Sequence, residues 1–201
     1  MHRRRQFLVA VGSAVATGGV VGLSASSSVA SSTNADFRIV APQLITLTPT
    51  NDPPIHVRTN DDGYVTAITP GGGERGVNGH AITRFEDIVD ITNATTADLT
   101  GIYFEFEATS DTLDDGTLAD IEAALVVTAG SEPLATTGES GDDLLAASDD
   151  PTVADGVLGP GESVPFGVQV NLIPETAPGT ISSLPSGEYD VRLRVITERD
   201  G

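Results

Sequence analysis

Few residues in this chain have the type and spacing that chemistry requires. After the first thirty residues only two histidines remain, His56 and His80. Neither lies within a helical turn of a second ligand in a metal-binding pattern, and His80 follows a turn-like stretch at residues 77–79, which is typical of a solvated loop histidine. The chain contains no cysteine. Thiolate metal sites, cysteine nucleophiles and disulfides are therefore excluded.

The patterns for serine catalysis, phosphate binding and acid/base catalysis also fail. Residues 138–141 read Gly-Glu-Ser-Gly, which is not the Gly-x-Ser-x-Gly spacing of a nucleophile elbow. Residues 70–76 are rich in glycine but lack the Lys-Ser/Thr ending and the following helix of a phosphate-binding loop. Glu105 and Glu107 form a carboxylate pair, yet such pairs arise by chance among 29 acids. We predict no enzyme and no cofactor, with a hydrolase of unrecognised site as a weaker alternative.

One acidic loop partly resembles a calcium site. Residues 111–116 read Asp-Thr-Leu-Asp-Asp-Gly, so that Leu113 occupies the place of the second alternating ligand, and the terminal bidentate Glu is missing. Further acids between residues 142 and 155 are loosely spaced. We expect solvated acidic loops, and a specific metal site is the alternative.

A single N-glycosylation sequon occurs, at Asn93-Ala94-Thr95. It follows a predicted strand, so we expect Asn93 at a strand end where a glycan would face solvent. The alternative is an unmodified turn, because sequons arise easily in a chain rich in threonine.

The first thirty residues have the layout of an export signal. Three arginines at residues 3–5 precede a weakly apolar stretch at residues 7–23, and small residues follow to residue 32. Within this segment Arg4, Arg5, Phe7 and Leu8 resemble the twin-arginine export motif. We predict cleavage between Ala30 and Ser31, with an uncleaved membrane anchor as the alternative. The protein is thus expected to meet the twin-arginine export machinery, to have no membrane span after processing, and to lie outside the cell or on its surface.

The remaining chain is strongly acidic. Removing residues 1–30 takes away three Arg and no acid, which leaves 29 acids and 7 Arg, a formal charge of −22 on 171 residues. No lysine occurs anywhere. This composition is typical of a salt-tolerant, halophilic proteome, because molar salt screens the repulsion among the acids. It argues against nucleic acid as a partner, since phosphate neutralisation needs clustered basic residues.

Apolar and polar residues alternate with period two along most of the remaining chain, which is the signal for half-buried strands. Strands are predicted at residues 37–47, 64–68, 85–92, 102–108, 121–128, 164–172 and 189–195, with a weaker one at 55–58. Residues 117–129 could begin as a helix, but the Val-Val-Thr at 126–128 favours a strand. Gly, Pro and Asp clusters separate these segments. The predicted fold is all-β, a two-layer antiparallel β-sandwich of the immunoglobulin-like or jelly-roll type, over residues 31–201.

The core and one insertion complete this prediction. The aromatic core is expected to contain Phe85, Phe104, Phe106, Phe166 and Tyr189. Residues 132–156 are rich in Gly, Ser, Ala and Asp, and we expect them to form an acidic insertion, either a mobile surface loop or a loose excursion from the sandwich.

Two segments resemble a known family. Residues 76–93, from Gly-Val-Asn-Gly-His to Asp-Ile-Thr-Asn, and residues 158–164, Leu-Gly-Pro-Gly-Glu-Ser-Val, resemble the motifs of a haloarchaeal family of twin-arginine-exported surface proteins. That family is similar to the camelysin/TasA-type secreted β-sandwich proteins, some of which polymerise into fibres.

The resemblance implies a role and a mechanism. It implies a non-enzymatic cell-surface or extracellular-matrix protein that forms homo-oligomers or filaments. In such fibres an N-terminal strand adds to the neighbouring subunit; here the candidate donor strand contains Phe37, Ile39 and Val40. The alternative for this strand is that it is the first strand of the sandwich's own sheet. The alternative function is a secreted binding module for glycans or divalent cations, using loops at residues 71–79 or 111–120.

Overall fold

The computed structural model describes residues 37–51, 54–70, 77–175, 180–186 and 188–199. The predicted export motif at Arg4, Arg5, Phe7 and Leu8 and the predicted cleavage site at Ala30 and Ser31 lie outside these residues. Within the described residues ten strands form two five-stranded sheets, which confirms the all-β sandwich class.

The strands and helices have the following bounds. The strands are β1 (Phe37–Val40), β2 (Ile45–Pro49), β3 (Val57–Thr59), β4 (Val65–Ile68), β5 (Ile82–Asn93), β6 (Leu99–Thr109), β7 (Leu125–Ala129), β8 (Glu132–Leu134), β9 (Ser163–Asn171) and β10 (Asp190–Arg199). The helices are α1 (Asp115–Ala123) and α2 (Leu144–Ala147), with short 3-10 helices at Gly138–Ser140 and Pro151–Val153. Sheet A has the strand order β3-β4-β1-β10-β6, and sheet B has the order β2-β5-β9-β7-β8.

One strand pair departs from the predicted antiparallel arrangement. β1 lies parallel to β10, whereas its other neighbour, β4, is antiparallel to it. The prediction of one strand over residues 37–47 is also wrong. Pro42 interrupts the strand, because proline lacks the backbone N–H that pairing with a neighbouring strand needs. The Pro42 carbonyl accepts a hydrogen bond from the Ile45 amide. The chain therefore crosses from sheet A to sheet B between β1 and β2.

The core follows the period-two pattern. Phe104 and Phe106 of β6 are buried, whereas Glu105 between them is partly exposed. The Phe104 ring packs against the Phe166 ring of sheet B with 5.1 Å between ring centres. This contact joins the two sheets. Of the predicted aromatic core these three are confirmed, whereas Phe85 and Tyr189 are only half-buried.

Residues 121–128 split between a helix and a strand. Asp114 caps α1: its carboxylate accepts hydrogen bonds from the Thr117 amide at 3.1 Å and the Thr117 hydroxyl at 2.8 Å. These bonds lower the pKa of Asp114. The helix ends at Ala123, and β7 follows from Leu125. The prediction of a strand from residue 121 is therefore wrong for its first residues, because the capping Asp-x-x-Thr pattern starts a helix there.

Residues 132–156, which were expected to form a loop, contain β8, α2 and two 3-10 helices and are folded onto the sandwich. Leu134, Leu144, Leu145 and Val153 are buried and belong to the main hydrophobic core. Their burial anchors β8, α2 and the 3-10 helix Pro151–Val153. Several acids of this segment accept hydrogen bonds from backbone amides: Asp142 from Ala135, Asp143 from Leu145, and Asp150 from Thr152.

The same segment and α1 protect the free edge of β6. The Ile102 amide donates to the Asp143 carboxylate at 2.9 Å, and the Ala108 amide donates to the Glu122 carboxylate at 2.7 Å. Between them, Glu105 forms an isolated antiparallel bridge with Thr137. Covered strand edges do not pair with other chains. Sheet A is therefore closed to strand addition on its β6 side.

Candidate functional site

The predicted donor strand is an interior strand of sheet A. Four consecutive residue pairs join β1 to β10, from Phe37 opposite Val191 to Val40 opposite Arg194. On the other side Phe37 pairs with Ile68 and Arg38 with Ala67 of β4. The structure therefore places this strand in the sheet of its own chain, as the alternative interpretation expected.

Phe37 anchors β1 in the core. Its side chain is fully buried, and its ring meets the Phe106 ring edge-on with 5.8 Å between ring centres. Ile39 is partly buried against the same core, whereas Val40 is 51% exposed. One end of β1 is thus held by an aromatic anchor, and the other end lies at the surface.

β1 is linked to the rest of the fold by a short connection. Residues 41–44 lead from β1 in sheet A to β2 in sheet B. If β1 left its position, sheet A would divide into a β3-β4 pair and a β10-β6 pair, each with an open edge. A strand from a second copy could occupy that position with the same contacts.

The expectation that Asn93 faces solvent is wrong. Its side chain is 1% exposed. The amide nitrogen donates to the carbonyls of Ala97 at 2.8 Å and Leu158 at 2.9 Å. Its carbonyl oxygen accepts from the Thr95 amide and hydroxyl at 2.9 and 2.7 Å. Both sequon side chains thus hold the turn after β5, and a glycosyltransferase has no access to this nitrogen in the folded chain.

His56 lies beside a small polar pocket of about 270 Å³ at the end of sheet B, which Arg84 and Glu86 also line. Its ring packs against the Phe85 ring at 4.6 Å between centres, and its buried Nδ1 has no hydrogen-bond partner among the described residues. Burial lowers the pKa of His56, so the imidazole is neutral at pH 7. Arg84 donates to the Gln169 side-chain oxygen at 2.7 and 3.0 Å. The described lining of this pocket contains no hydroxyl nucleophile.

A bulge in β5 forms one wall of this pocket. The register between β5 and β9 shifts between Phe85 and Val89, and Asp87 has a φ of 49°, in the left-handed region. Gly167 lies opposite, where a Cβ would stand 2.3 Å from the Phe85 carbonyl oxygen. Only glycine fits at this close approach.

His80 behaves as predicted. It is exposed in the loop before β5, and its amide donates to the Ser182 carbonyl at 2.8 Å. His56, by contrast, lies just before β3, and the two histidines do not share a site. Among the described residues no group of three His, Asp or Glu side chains is placed to hold a metal ion.

Asp90 of β5 is a carboxylate whose ionisation is disfavoured. It is half-buried, and burial together with the nearby Asp150 and Asp87 raises its pKa. A raised pKa in the folded state means that ionised Asp90 destabilises the fold above pH 4 and that protonation relieves this cost.

Replacing Asp90 by Asn is therefore expected to stabilise the protein at neutral pH. We expect a Tm increase of about 1–3 °C at pH 7 that shrinks as the pH falls through 4, where folded and unfolded wild-type chains are both protonated. Calorimetry of residues 31–201 in molar KCl at pH 7, 5 and 3.5 measures this. The exposed Asp61→Asn is the control for the loss of one charge. A Tm that falls at pH 7 would contradict the prediction.

An apolar groove lies between α1, β7 and the residues after β8. Its volume is about 660 Å³, and Phe106, Leu125, Val126, Pro133 and Leu134 are among the residues that line it. The carboxylates of Glu122 and Asp142 lie at its border, and both already accept backbone hydrogen bonds. The groove could therefore make hydrophobic contacts, whereas its two carboxylates already accept hydrogen bonds that stabilise the fold.

Two of the four acids in the loop at residues 111–120 have structural roles. Asp114 caps α1, and Asp120 accepts a hydrogen bond from the Thr180 hydroxyl at 2.6 Å. The other loop of the predicted binding module falls largely on residues 71–76, which lie outside the described residues.

Comparison with family models, curated proteins and solved structures finds no match to this chain. Within the described residues no helix is long and apolar enough to cross a membrane.

Proposed function

We propose that this protein is a non-enzymatic, exported component of the cell surface or extracellular matrix of a halophilic archaeon, and that its copies assemble by exchanging β1. The observation that carries the proposal is the position of β1. It is the most N-terminal described strand, yet it lies in the interior of sheet A and buries Phe37 completely. Such a strand can leave only if an equivalent strand replaces it.

Strand exchange costs little free energy, because a donated β1 makes the same contacts in the neighbouring copy as it makes in its own chain. The pairs with β10 and β4 and the contact between Phe37 and Phe106 are all restored. What changes is the path of residues 41–44, which must run between copies. Protein concentration then decides between closed monomers and open chains of linked copies.

The sequence supports the exported location. The resemblance to twin-arginine signals at Arg4 and Arg5 and the charge of −22 after residue 30 both favour release into a salty exterior. The sequence lacks the motifs of nucleophilic catalysis and phosphate binding and contains no cysteine, which favours a structural role.

A disulfide between β1 and β10 tests the exchange. Val40 and Arg194 are register partners on adjacent strands, close enough for a disulfide, and the chain has no cysteine of its own. The variant V40C/R194C, as residues 31–201, is concentrated in molar KCl and oxidised. Electron microscopy and a non-reducing gel record assemblies and cross-links.

Exchange predicts a ladder of covalent oligomers after oxidation of the assembled sample, and covalent monomers after oxidation of the dilute sample. The single variant V40C is the control, since it can form only dimers. Assemblies whose cross-links are all within one chain would overturn strand exchange, and a sample that stays monomeric at all concentrations would overturn the assembly role.

A further inference from the structure

The floor of the apolar groove beside α1 is made of core residues from both sheets. Phe106 of β6 belongs to sheet A, and Leu125 of β7 and Leu134 of β8 belong to sheet B; all three are buried in the main hydrophobic core. The rim is open, because Ala119 of α1 and Pro133 of β8 are exposed. The volume of about 660 Å³ lies within the range of about 300–1,000 Å³ that is typical of small-molecule sites. A ligand in the groove would therefore contact the core directly from solvent.

The length of the groove suits a small molecule better than a segment of another protein. From α1 only Ala119, Glu122 and Ala123 line it, and they span about 6 Å along the helix axis. A docked partner helix needs anchors over two turns, about 10 Å. A partner strand would have to pair with β8, which has three residues, and Pro133 in its middle has no N–H to donate. The occupant that fits is a single apolar chain or ring.

The charged groups that line the groove are all negative. Glu122 and Asp142 are its two carboxylates, and no arginine is found in the lining that the structure describes. Oε1 of Glu122 accepts from the Ala108 amide, and Oδ2 of Asp142 accepts from the Ala135 amide. The second oxygen of each carboxylate accepts no hydrogen bond from the described residues. Because a carboxylate has about four acceptor sites, a ligand can bond these oxygens without displacing the structural bonds.

The end of α1 adds to this negative charge. Glu122 and Ala123 lie in the last turn of α1, which contains no basic residue. The C-terminal end of a helix carries a partial negative charge and favours a cation. The groove should therefore disfavour carboxylate and phosphate ligands. In molar salt the Debye length is about 3 Å, so that this selection acts through direct contact and not at long range.

We propose that the apolar groove binds a small apolar amine. Its aliphatic or aromatic body lies against Phe106, Leu125 and Leu134, and its ammonium group donates to a free oxygen of Glu122 or Asp142. The ammonium stays at the border of the groove, where it keeps part of its hydration, while the body leaves water. This inference goes beyond the proposed assembly and does not rest on strand exchange, because the groove is formed within one copy.

Three ligands with the same eight-carbon chain test this selection. Residues 31–201, dilute in molar KCl at pH 7, are titrated by calorimetry with octylammonium, octan-1-ol and octanoate, all below their micelle concentrations. We expect octylammonium to bind one molecule per chain, at least about tenfold more tightly than octanoate, with octan-1-ol between them. Bound octylammonium should also raise the Tm, because it binds the folded chain and contacts its core.

Filling the groove tests the position of the site. Ala119→Phe places a ring at the exposed rim, and we expect it to weaken octylammonium binding at least about tenfold. Ala154→Phe is the matched control, since Ala154 is exposed and does not line the groove. It should change the affinity less than about twofold.

Removing the two carboxylates tests the charge selection. In E122Q/D142N each side-chain amide keeps an oxygen that can accept the same backbone N–H. We expect octylammonium to bind about tenfold more weakly and octan-1-ol to bind as before. The control D61N/D98N removes two exposed acids outside the groove and should change both affinities less than about twofold.

Octanoate that binds as tightly as octylammonium would overturn the proposal, as would octylammonium that binds A119F as tightly as wild type. Equal binding of tetramethylammonium would reduce the effect to attraction by an acidic surface and would also overturn it. Octylammonium that gives no heat and no Tm shift overturns it as well, in favour of a second copy as the occupant if A119F also abolishes self-association. Strand exchange is read separately from the covalent ladder of V40C/R194C, so that octylammonium binding without a ladder overturns only the exchange, and a ladder without binding overturns only the ligand site.

Discussion

Replacement of Asn93 by Asp is expected to lower the stability of residues 31–201 by about 3 kcal/mol or more, equivalent to a Tm decrease of about 10 °C. The substitution keeps the shape of the side chain. It removes the two N–H donors that satisfy the carbonyls of Ala97 and Leu158, and it places a carboxylate oxygen against them. At 1% exposure, water cannot compensate for this repulsion.

Thermal unfolding in molar KCl at pH 7 measures the effect, with the exposed Asn78→Asp as a control for the added charge. The loss should lessen at low pH, because the introduced carboxyl group regains one donor when it is protonated. A Tm within about 2 °C of wild type would show that the turn after β5 does not depend on this side chain. It would also reopen Asn93 as a glycosylation site, because a side chain that leaves its pocket at little cost can reach a glycosyltransferase.

Local patterns predicted the long strands well. In β6, β9 and β10 the alternation is regular, and strands of nine to eleven residues follow it almost to their ends. The break at Pro42 was missed because apolar residues continue on both sides of it. The fold of residues 132–156 was missed although the pair Leu144-Leu145 after Asp143 is the signal of a capped, buried helical turn.

Contacts between segments that are far apart in the chain could not be predicted from the sequence. The interior position of β1 in sheet A depends on its pairing with β10, which is about 150 residues away in the chain. The burial of Asn93 could not be predicted for the same reason, because it depends on Leu158, which is 65 residues away. A sequon shows only local spacing.

Lowering the KCl concentration well below molar is expected to unfold residues 31–201 completely. The formal charge is −22, the acids that the structure describes are all exposed or half-buried, and few of them are paired with arginine. In dilute buffer the Debye length exceeds about 10 Å, so that each acid is repelled by many others, and compact folding concentrates that repulsion. The ionised Asp90 beside Asp87 and Asp150 is a local example.

Circular dichroism during stepwise dilution of KCl measures this transition, and sucrose at matched osmolality is the solvent control, since it favours compact states without screening charge. A quadruple variant tests the electrostatic cause. Asp61, Glu132, Glu139 and Asp149 are exposed and use their carboxylates in no hydrogen bond within the described residues. Changing all four to their amides lowers the charge from −22 to −18 without removing a structural contact, so that the unfolding midpoint should move to lower KCl. An unchanged midpoint, or full rescue by sucrose, would mean that salt acts on hydration of the core instead of on repulsion.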